Sequence, residues 1–307
     1  MTQTPSGYPR GPIAEARHQR AIELAGGQSA RWLGLIDGLA NAVGAGLLLD
    51  VYRDTFLRIP AALASAVLMR RALDSLYDAV RARIEPVLVD SAEAAISYAT
   101  DIASLYPTLA HRGRPRYSRT LVTLALDAVL ALVSAQRAGI LSMIASGRAT
   151  PDALIGTDRR PGILNPTPIL AEASDQIVAV GHGALIEGLT TIGMTAPQNG
   201  LHLQAIAAID ERTTPCCLAI HAHAVPISGG RFHLTAAPHY ADYMANPPFH
   251  RWCRTAVAVV TEADLAGRLT MQMRAAADAE IAARAAHRPT RRTAFIGPTH
   301  ARSRRGQ

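Results

Sequence analysis

The chain is 307 residues long and 49% hydrophobic, which excludes a disordered chain and suffices for one large globular domain or two ordinary ones. Aliphatic residues dominate and aromatic residues make up only 5%, a mixture that favours packed helices over a β-sandwich or a barrel. The net charge of +7 indicates acidic partners, and three cysteines, two of them adjacent, argue for reduced thiols rather than a disulfide framework.

The N-terminal residues 1–11 are predicted to be disordered, and no apolar run typical of a secretory signal is apparent there. We therefore expect synthesis in the cytoplasm. Residues 12–155 form the predicted helical domain. Its most apolar stretches, Trp32–Asp50 and Leu121–Val133, each contain aspartate and lack the roughly 18 clean apolar residues of a membrane span. They are predicted to be buried helices, and no membrane partner is expected.

Within this domain, apolar residues recur every three to four positions over 70–87, which predicts an amphipathic helix that faces a core. Pro86 is expected to mark its end, because proline removes a helical hydrogen bond. A second helix is predicted from about Ser91 to Leu105. After a basic loop, a long helix is predicted over 118–146.

Residues 156–168 combine turn residues with prolines and are predicted to be a linker. The following module, 169–288, contains a glycine-bearing helical pattern, β-prone runs that begin at Leu201 and Thr255, and an Ala-rich helix with Thr261 as its N-cap. The expected fold class is mainly α: a long helical body, a small α+β module in which two short strands bracket an irregular loop, and a C-terminal helix.

Residues 289–307 are predicted to be a basic disordered tail. This end of the chain carries most of the excess positive charge and no acidic residue, which suits either non-specific nucleic-acid binding or a merely solvated terminus. The arginines that would contact nucleic acid are Arg288, Arg291, Arg292, Arg302, Arg304 and Arg305.

All three cysteines lie in the irregular stretch between the two predicted strands. The first half-motif, Asp-x-Arg-Thr-Thr-x-x-Cys, follows the first strand, and the second half-motif, Pro-Pro-x-His-x-x-Cys-Arg, precedes the second strand. Together they contribute Asp210, Arg212, Thr213, Cys217, Pro247, Pro248, His250, Cys253 and Arg254.

This pair of half-motifs resembles the phage head morphogenesis family, the Mu F-like minor head proteins. The resemblance covers about sixty residues directly. It implies a virion structural protein rather than an enzyme, in low copy inside the head near the portal, acting in head assembly and in DNA packaging or ejection. The implied partners are the portal protein, other capsid components and phage DNA. Thr214 and Thr255 stand where many relatives have cysteines, so a four-ligand zinc knuckle does not transfer unchanged.

From the residues themselves, Cys217, His250 and Cys253 are suitable ligands for zinc, and His-x-x-Cys can present two of them from one turn. A structural zinc site needs a fourth ligand, for which Cys216, His221 and Asp210 are candidates. Cys216 is expected to point away from its neighbour if the backbone is strand-like. The alternative is that the thiols are small buried hydrophobes and the imidazole binds a backbone carbonyl.

Asp210 is expected to accept backbone N–H bonds at a turn and to pair with Arg212 or Arg254, which would pin the half-motifs together. Two other functions remain open. One is a metal-stabilised nucleic-acid-binding module without a virion role. The other is a thiol-dependent enzyme, with Cys217 or Cys253 as nucleophile and His250 or His221 as base.

Overall fold

The computed structural model describes residues 12–42, 66–111, 113–150, 153–154, 156–157 and 160–287. The predicted N-terminus and basic tail lie outside the described residues, as do residues 43–50 of the apolar stretch that ends at Asp50. The helices are α1 (Pro12–Ala42), α2 (Ala66–Leu105), α3 (Arg119–Ala145), α4 (Thr167–Thr191), α5 (Pro215–Ile220), α6 (Glu262–Leu265) and α7 (Arg268–His287). The strands are β1 (Gly156–Thr157), β2 (Arg160–Pro161), β3 (Leu201–Ile206), β4 (Ala224–Pro226), β5 (Phe232–His233), β6 (Tyr243–Met244) and β7 (Ala256–Thr261). The mainly α class with a small sheet module and a C-terminal helix is confirmed.

The helical body consists of α2, α3 and α4, which pack against one another along their apolar faces. The predicted start of α3 is confirmed, because Ser118 is its N-cap and its hydroxyl accepts the Thr120 N–H at 3.1 Å. The same helix is long and apolar enough to cross a membrane by length and composition. Its face with Val129 and Val133 is buried in the core of the body.

The prediction that a helix ends at Pro86 is wrong. A single helix, α2, runs through this proline from Ala66 to Leu105. The missing backbone hydrogen bond costs on the order of 3 kcal/mol, but apolar burial continues on both sides of the proline. Ile84 is 2% exposed and Leu88 is fully buried, so tertiary packing outweighs the local preference.

The two predicted strands, β3 and β7, exist and pair with each other antiparallel. Leu201 lies opposite Thr261 and Ile206 opposite Ala256, and β4 adds to the other edge of β3. Nearly every residue of β7 is buried, because α1 packs against this strand. The ends of β3 and β7 that bear the two half-motifs therefore lie side by side.

One hydrophobic cluster extends from the helical body into the sheet module. α4, which the sequence interpretation assigned to the module, packs mainly on α2 and α3. The linker at 156–168 includes the short β1–β2 pair, and the domain boundary there stays a prediction. Thr261 is the predicted N-cap and forms a capping box with Asp264, but the helix it begins ends at Leu265 and α7 follows separately.

Gly181 of α4 permits a close approach of three helices. A Cβ at this position would lie 2.8 Å from Trp32 Cζ2 and 2.9 Å from Ser91 Oγ. The Ser91 hydroxyl cannot easily move, since it is buried and donates to the Ile177 carbonyl at 2.7 Å. A side chain at 181 would therefore separate α1 and α2 from α4.

Gly181→Ala should destabilise the protein by about 1–3 kcal/mol, because the added methyl overpacks this contact. Gly27→Ala is the matched control: it also replaces a helical glycine, but its Cβ would meet nothing within 4 Å. It should stabilise the protein by roughly 0.5–1 kcal/mol through helix propensity. Urea unfolding monitored by circular dichroism measures both changes, and equal effects at the two positions would contradict the close approach.

Candidate metal centre

The two adjacent cysteines lie in the first turn of α5. Pro215 occupies the start of this helix, where a missing N–H is tolerated, and Thr214 is its N-cap. The backbone is therefore helical, and the prediction that Cys216 points away from Cys217 is wrong. Their Sγ atoms lie 4.0 Å apart. Cys216 Sγ also donates to the Pro238 carbonyl at 2.9 Å.

The second half-motif brings the other sulfur and the imidazole to the same place. Cys217 Sγ lies 3.0 Å from His250 Nε2 and 3.9 Å from Cys253 Sγ, although these residues are 33 and 36 positions away in the chain. The peptide bond between Pro247 and Pro248, just before this turn, is cis. Cys217 thus contacts both the imidazole and the thiol of the second half-motif.

The hydrogen bonds of His250 orient its ring. Its Nδ1–H donates to the Arg251 carbonyl at 2.6 Å, which leaves Nε2 directed at Cys217 Sγ and at Thr214 Oγ1, 2.7 Å away. Metal-binding histidines commonly donate their second ring N–H to a backbone carbonyl in this way, since the bond fixes both tautomer and orientation.

The sulfur atoms are buried, and the cluster shifts their acidity. Burial disfavours the Cys253 thiolate, but the hydrogen bonds from Cys217 and His250 lower the pKa of Cys253 well below its ordinary value. The hydrogen bond with Cys217 lowers the pKa of Cys216 to about 6 and raises the pKa of Cys217. Against the effect of burial, Cys253 raises the pKa of His250 to about 9. The cluster therefore favours thiolate, the form that binds metals, at Cys216 and Cys253, and the thiol at Cys217.

The group Cys216, Cys217 and His250 can hold a metal ion, since their ligand atoms all lie within 4.8 Å of one another. In a tetrahedral site with zinc–sulfur bonds of about 2.3 Å, neighbouring sulfurs are about 3.8 Å apart. The Cys216–Cys217 and Cys217–Cys253 separations of 4.0 and 3.9 Å are close to that value.

The other candidate ligands are occupied elsewhere. His221 Nδ1 accepts the Ala207 N–H at 3.0 Å, and burial lowers the pKa of His221 to about 4. Both carboxylate oxygens of Asp210 bind Arg254. Among the described residues, the structure thus groups Cys216 with Cys217 and His250, and Cys253 adjoins this group through its contact with Cys217.

Asp210 and Arg254 form a bidentate ion pair between the half-motifs. Arg254 Nη1 donates to Asp210 Oδ2 at 2.7 Å, and its Nη2 donates to Oδ1. These bonds hold the pKa of Asp210 well below its usual range. Arg212 contributes its backbone N–H to Asp210 Oδ1 at 2.9 Å, and the Thr213 hydroxyl donates to the Ala208 carbonyl. We call the Asp210–Arg254 pair and the Cys217–His250–Cys253 contacts the clasp.

The contacts that three residues make around the site were not predicted from the sequence. Thr214, noted there as a missing ligand, bonds His250. Arg284 of α7 donates to two carbonyls beside the clasp. Asp175, a buried carboxylate of α4, accepts the Tyr240 O–H and, at 3.0 Å, the Trp252 N–H, so it holds the loop to the helical body. No local pattern indicates Arg284 or Asp175, because their partners are far away in sequence.

The chain was compared with models of protein families, with curated proteins and with solved structures. No match was found in any of the three comparisons.

Asp175 should make stability depend on pH. Burial raises the pKa of Asp175 from 3.8 to about 6, despite the hydrogen bonds from Tyr240 and Trp252. The folded state thus binds this proton more tightly than the unfolded state, so the associated stability is present at low pH and is lost as pH rises from about 4 to about 6. Asp175→Asn should lack this loss and retain both hydrogen-bond partners.

Melting temperatures of wild type and Asp175→Asn across this pH range test the assignment. The melting temperature of the variant minus that of the wild type should increase as pH rises. Taking this difference removes any pH effect that the two proteins share. Asp127→Asn, which removes an exposed carboxylate of α3, is the control. Parallel pH profiles for wild type and Asp175→Asn would contradict the prediction.

Proposed function

We propose that the chain is a phage minor head protein, a low-copy structural component inside the virion near the portal that acts in head assembly or in DNA packaging or ejection. The observation that supports this proposal most strongly is the clasp. Residues 33 to 44 positions apart bind one another, and they are the residues on which the resemblance depends. These contacts favour the interpretation that the two half-motifs form a single motif rather than two unrelated chance matches.

The burial of the thiols favours a structural role over a catalytic one. Cys216 and Cys253 are fully buried and Cys217 is 2% exposed. A nucleophilic cysteine must reach the electrophilic atom of a substrate, and the approach to these sulfurs is filled by protein atoms. A thiol-dependent enzyme, the second alternative, is therefore the least favoured of the three functions.

We further infer that the cluster binds zinc through Cys216, Cys217, Cys253 and His250. Three thiolates and one imidazole form a ligand set typical of closed structural zinc sites. When bound, the ion would join α5 to the second half-motif and leave no position open for a substrate. The Arg251 carbonyl already orients the imidazole for this purpose.

A metal-stabilised nucleic-acid-binding module without a virion role is the alternative function. The six arginines at and beyond 288 favour it, because clustered guanidinium groups bind phosphates without sequence preference. The same arginines suit a minor head protein that contacts packaged DNA. The two functions therefore differ in location and partners rather than in chemistry.

Purified protein should contain about one zinc per chain, and Cys217→Ser, Cys253→Ser and His250→Ala should each lose it, because a closed site tolerates no missing ligand. Cys216→Ser distinguishes the fourth ligand and should weaken retention of the ion. His233→Ala, which removes an exposed imidazole of the same loop, is the control. Elemental analysis after gel filtration measures the content. Less than about 0.2 zinc per wild-type chain would exclude the structural ion.

The virion role predicts that the chain is present in purified phage heads in far fewer copies than the major capsid protein, and that its gene lies beside portal and capsid genes. Quantitative mass spectrometry of heads measures the first and genome sequence the second. A chain absent from heads, with salt-sensitive DNA binding that is lost on truncation after Arg288, would instead favour the nucleic-acid-binding module.

A further inference from the structure

Arg284, on the C-terminal helix α7, contacts the backbone just before the cysteine helix. Its Nη1 donates to the Thr213 carbonyl and its Nη2 to the Asp210 carbonyl, each at 2.5 Å. Its Nε donates to Glu280 Oε1 at 2.7 Å, one turn earlier on the same helix. Glu280 therefore orients the guanidinium, and the planar fork binds two carbonyls of a single turn.

The turn that Arg284 binds leads directly into α5. It is closed by the Thr213 N–H, which donates to the Asp210 carbonyl at 3.0 Å. The next residue is Thr214, whose hydroxyl lies 2.7 Å from His250 Nε2 and 3.3 Å from Cys216 Sγ. A displacement of this turn would therefore shift both the cysteine helix and the hydroxyl that contacts the imidazole.

Two arginines bind this turn from different elements and through different groups. Arg254, from the second half-motif, binds the Asp210 carboxylate, whereas Arg284 binds backbone carbonyls. Arg254 forms part of the resemblance described above, and Arg284 lies more than sixty residues beyond the turn. The geometry thus adds a third segment of chain, α7, to the clasp.

Apart from its packing against α5, α7 buries few side chains. Among its described residues, Thr270 and Ala277 are buried, and the Thr270 hydroxyl accepts a hydrogen bond from buried Gln204 at 3.2 Å. Both lie in the first half of the helix. Arg284 supplies hydrogen bonds near the other end, where the helix is mostly exposed. Docking of this end should therefore depend strongly on the turn that Arg284 binds.

We propose that Arg284 is a positioning residue of the metal centre, and that metal binding and docking of α7 are coupled through it. The proposal rests on the zinc site proposed above. A bound ion would further restrain α5 and the turn before it, which carries the two carbonyls that Arg284 binds. By thermodynamic linkage, a docked α7 must in turn favour the bound ion by the same factor.

The test compares zinc affinities of the full-length chain by competition with a chromophoric chelator. Arg284→Gln should bind zinc about 10–100-fold more weakly, the usual effect of losing a group that orients metal ligands. Arg284→Lys should lie between Gln and wild type, because an ammonium can donate to one carbonyl but lacks the fork. Arg274→Gln, which removes an exposed guanidinium from the same helix, should bind like wild type.

Hydrogen exchange of the wild-type protein supplies a second readout that needs no variant to fold. Removal of zinc should speed exchange in the second half of α7 more than in the first half. The proposed role of Arg284 would be overturned, and the metal centre retained, by either of two results. One is an equal zinc affinity of wild type and Arg284→Gln, and the other is hydrogen exchange of α7 that does not change when zinc is removed. A wild-type chain that binds no zinc would instead overturn the metal centre itself.

Discussion

The antiparallel pairing of β3 with β7 is the constraint on which the rest of the module depends. Because Ile206 lies opposite Ala256, the C-terminal end of β3 lies beside the N-terminal end of β7. Asp210 and Arg254 lie just beyond these strand ends and are thereby placed within reach of one another. Register in a sheet is fixed wherever one face is buried, and β7 is buried along nearly its whole length. The packing of α1 on the sheet thus fixes the strand register, and the register fixes the relative positions of the clasp residues.

Much of the fold could be predicted from the sequence because it depends on local signals. Ser118 and Thr261 have the side chains that cap helices, and both do so. The β-prone runs at Leu201 and Thr255 are short and rich in branched or aliphatic residues, and both form strands. Pro86 shows the limit of local signals, since the helix continues through it where burial on both sides is sufficient.

Part of the candidate site could likewise be predicted from the sequence, and part could not. The half-motifs predict that Cys217, His250 and Cys253 lie close together, and the structure brings them together. The orientation of Cys216 could not be predicted without knowing that Pro215 begins a helix rather than continuing an extended segment. Arg284 and Asp175 could not be predicted either, because each binds partners more than sixty residues away and neither lies in a recognisable pattern. Long-range contacts of single polar residues leave no periodicity in a sequence.

The clasp also closes a long loop by non-covalent contacts. Contacts between Cys217 and Cys253 close a loop of 36 positions, and closing a loop of that size costs about 4 kcal/mol of conformational entropy in the loop-closure model. Once such a closure exists, a doubling of the enclosed length adds only about 0.6 kcal/mol to its cost. The exposed parts of the loop between the half-motifs can therefore change in length at low entropic cost, whereas β4, Pro238 and Tyr240 are held by contacts with β3, Cys216 and Asp175.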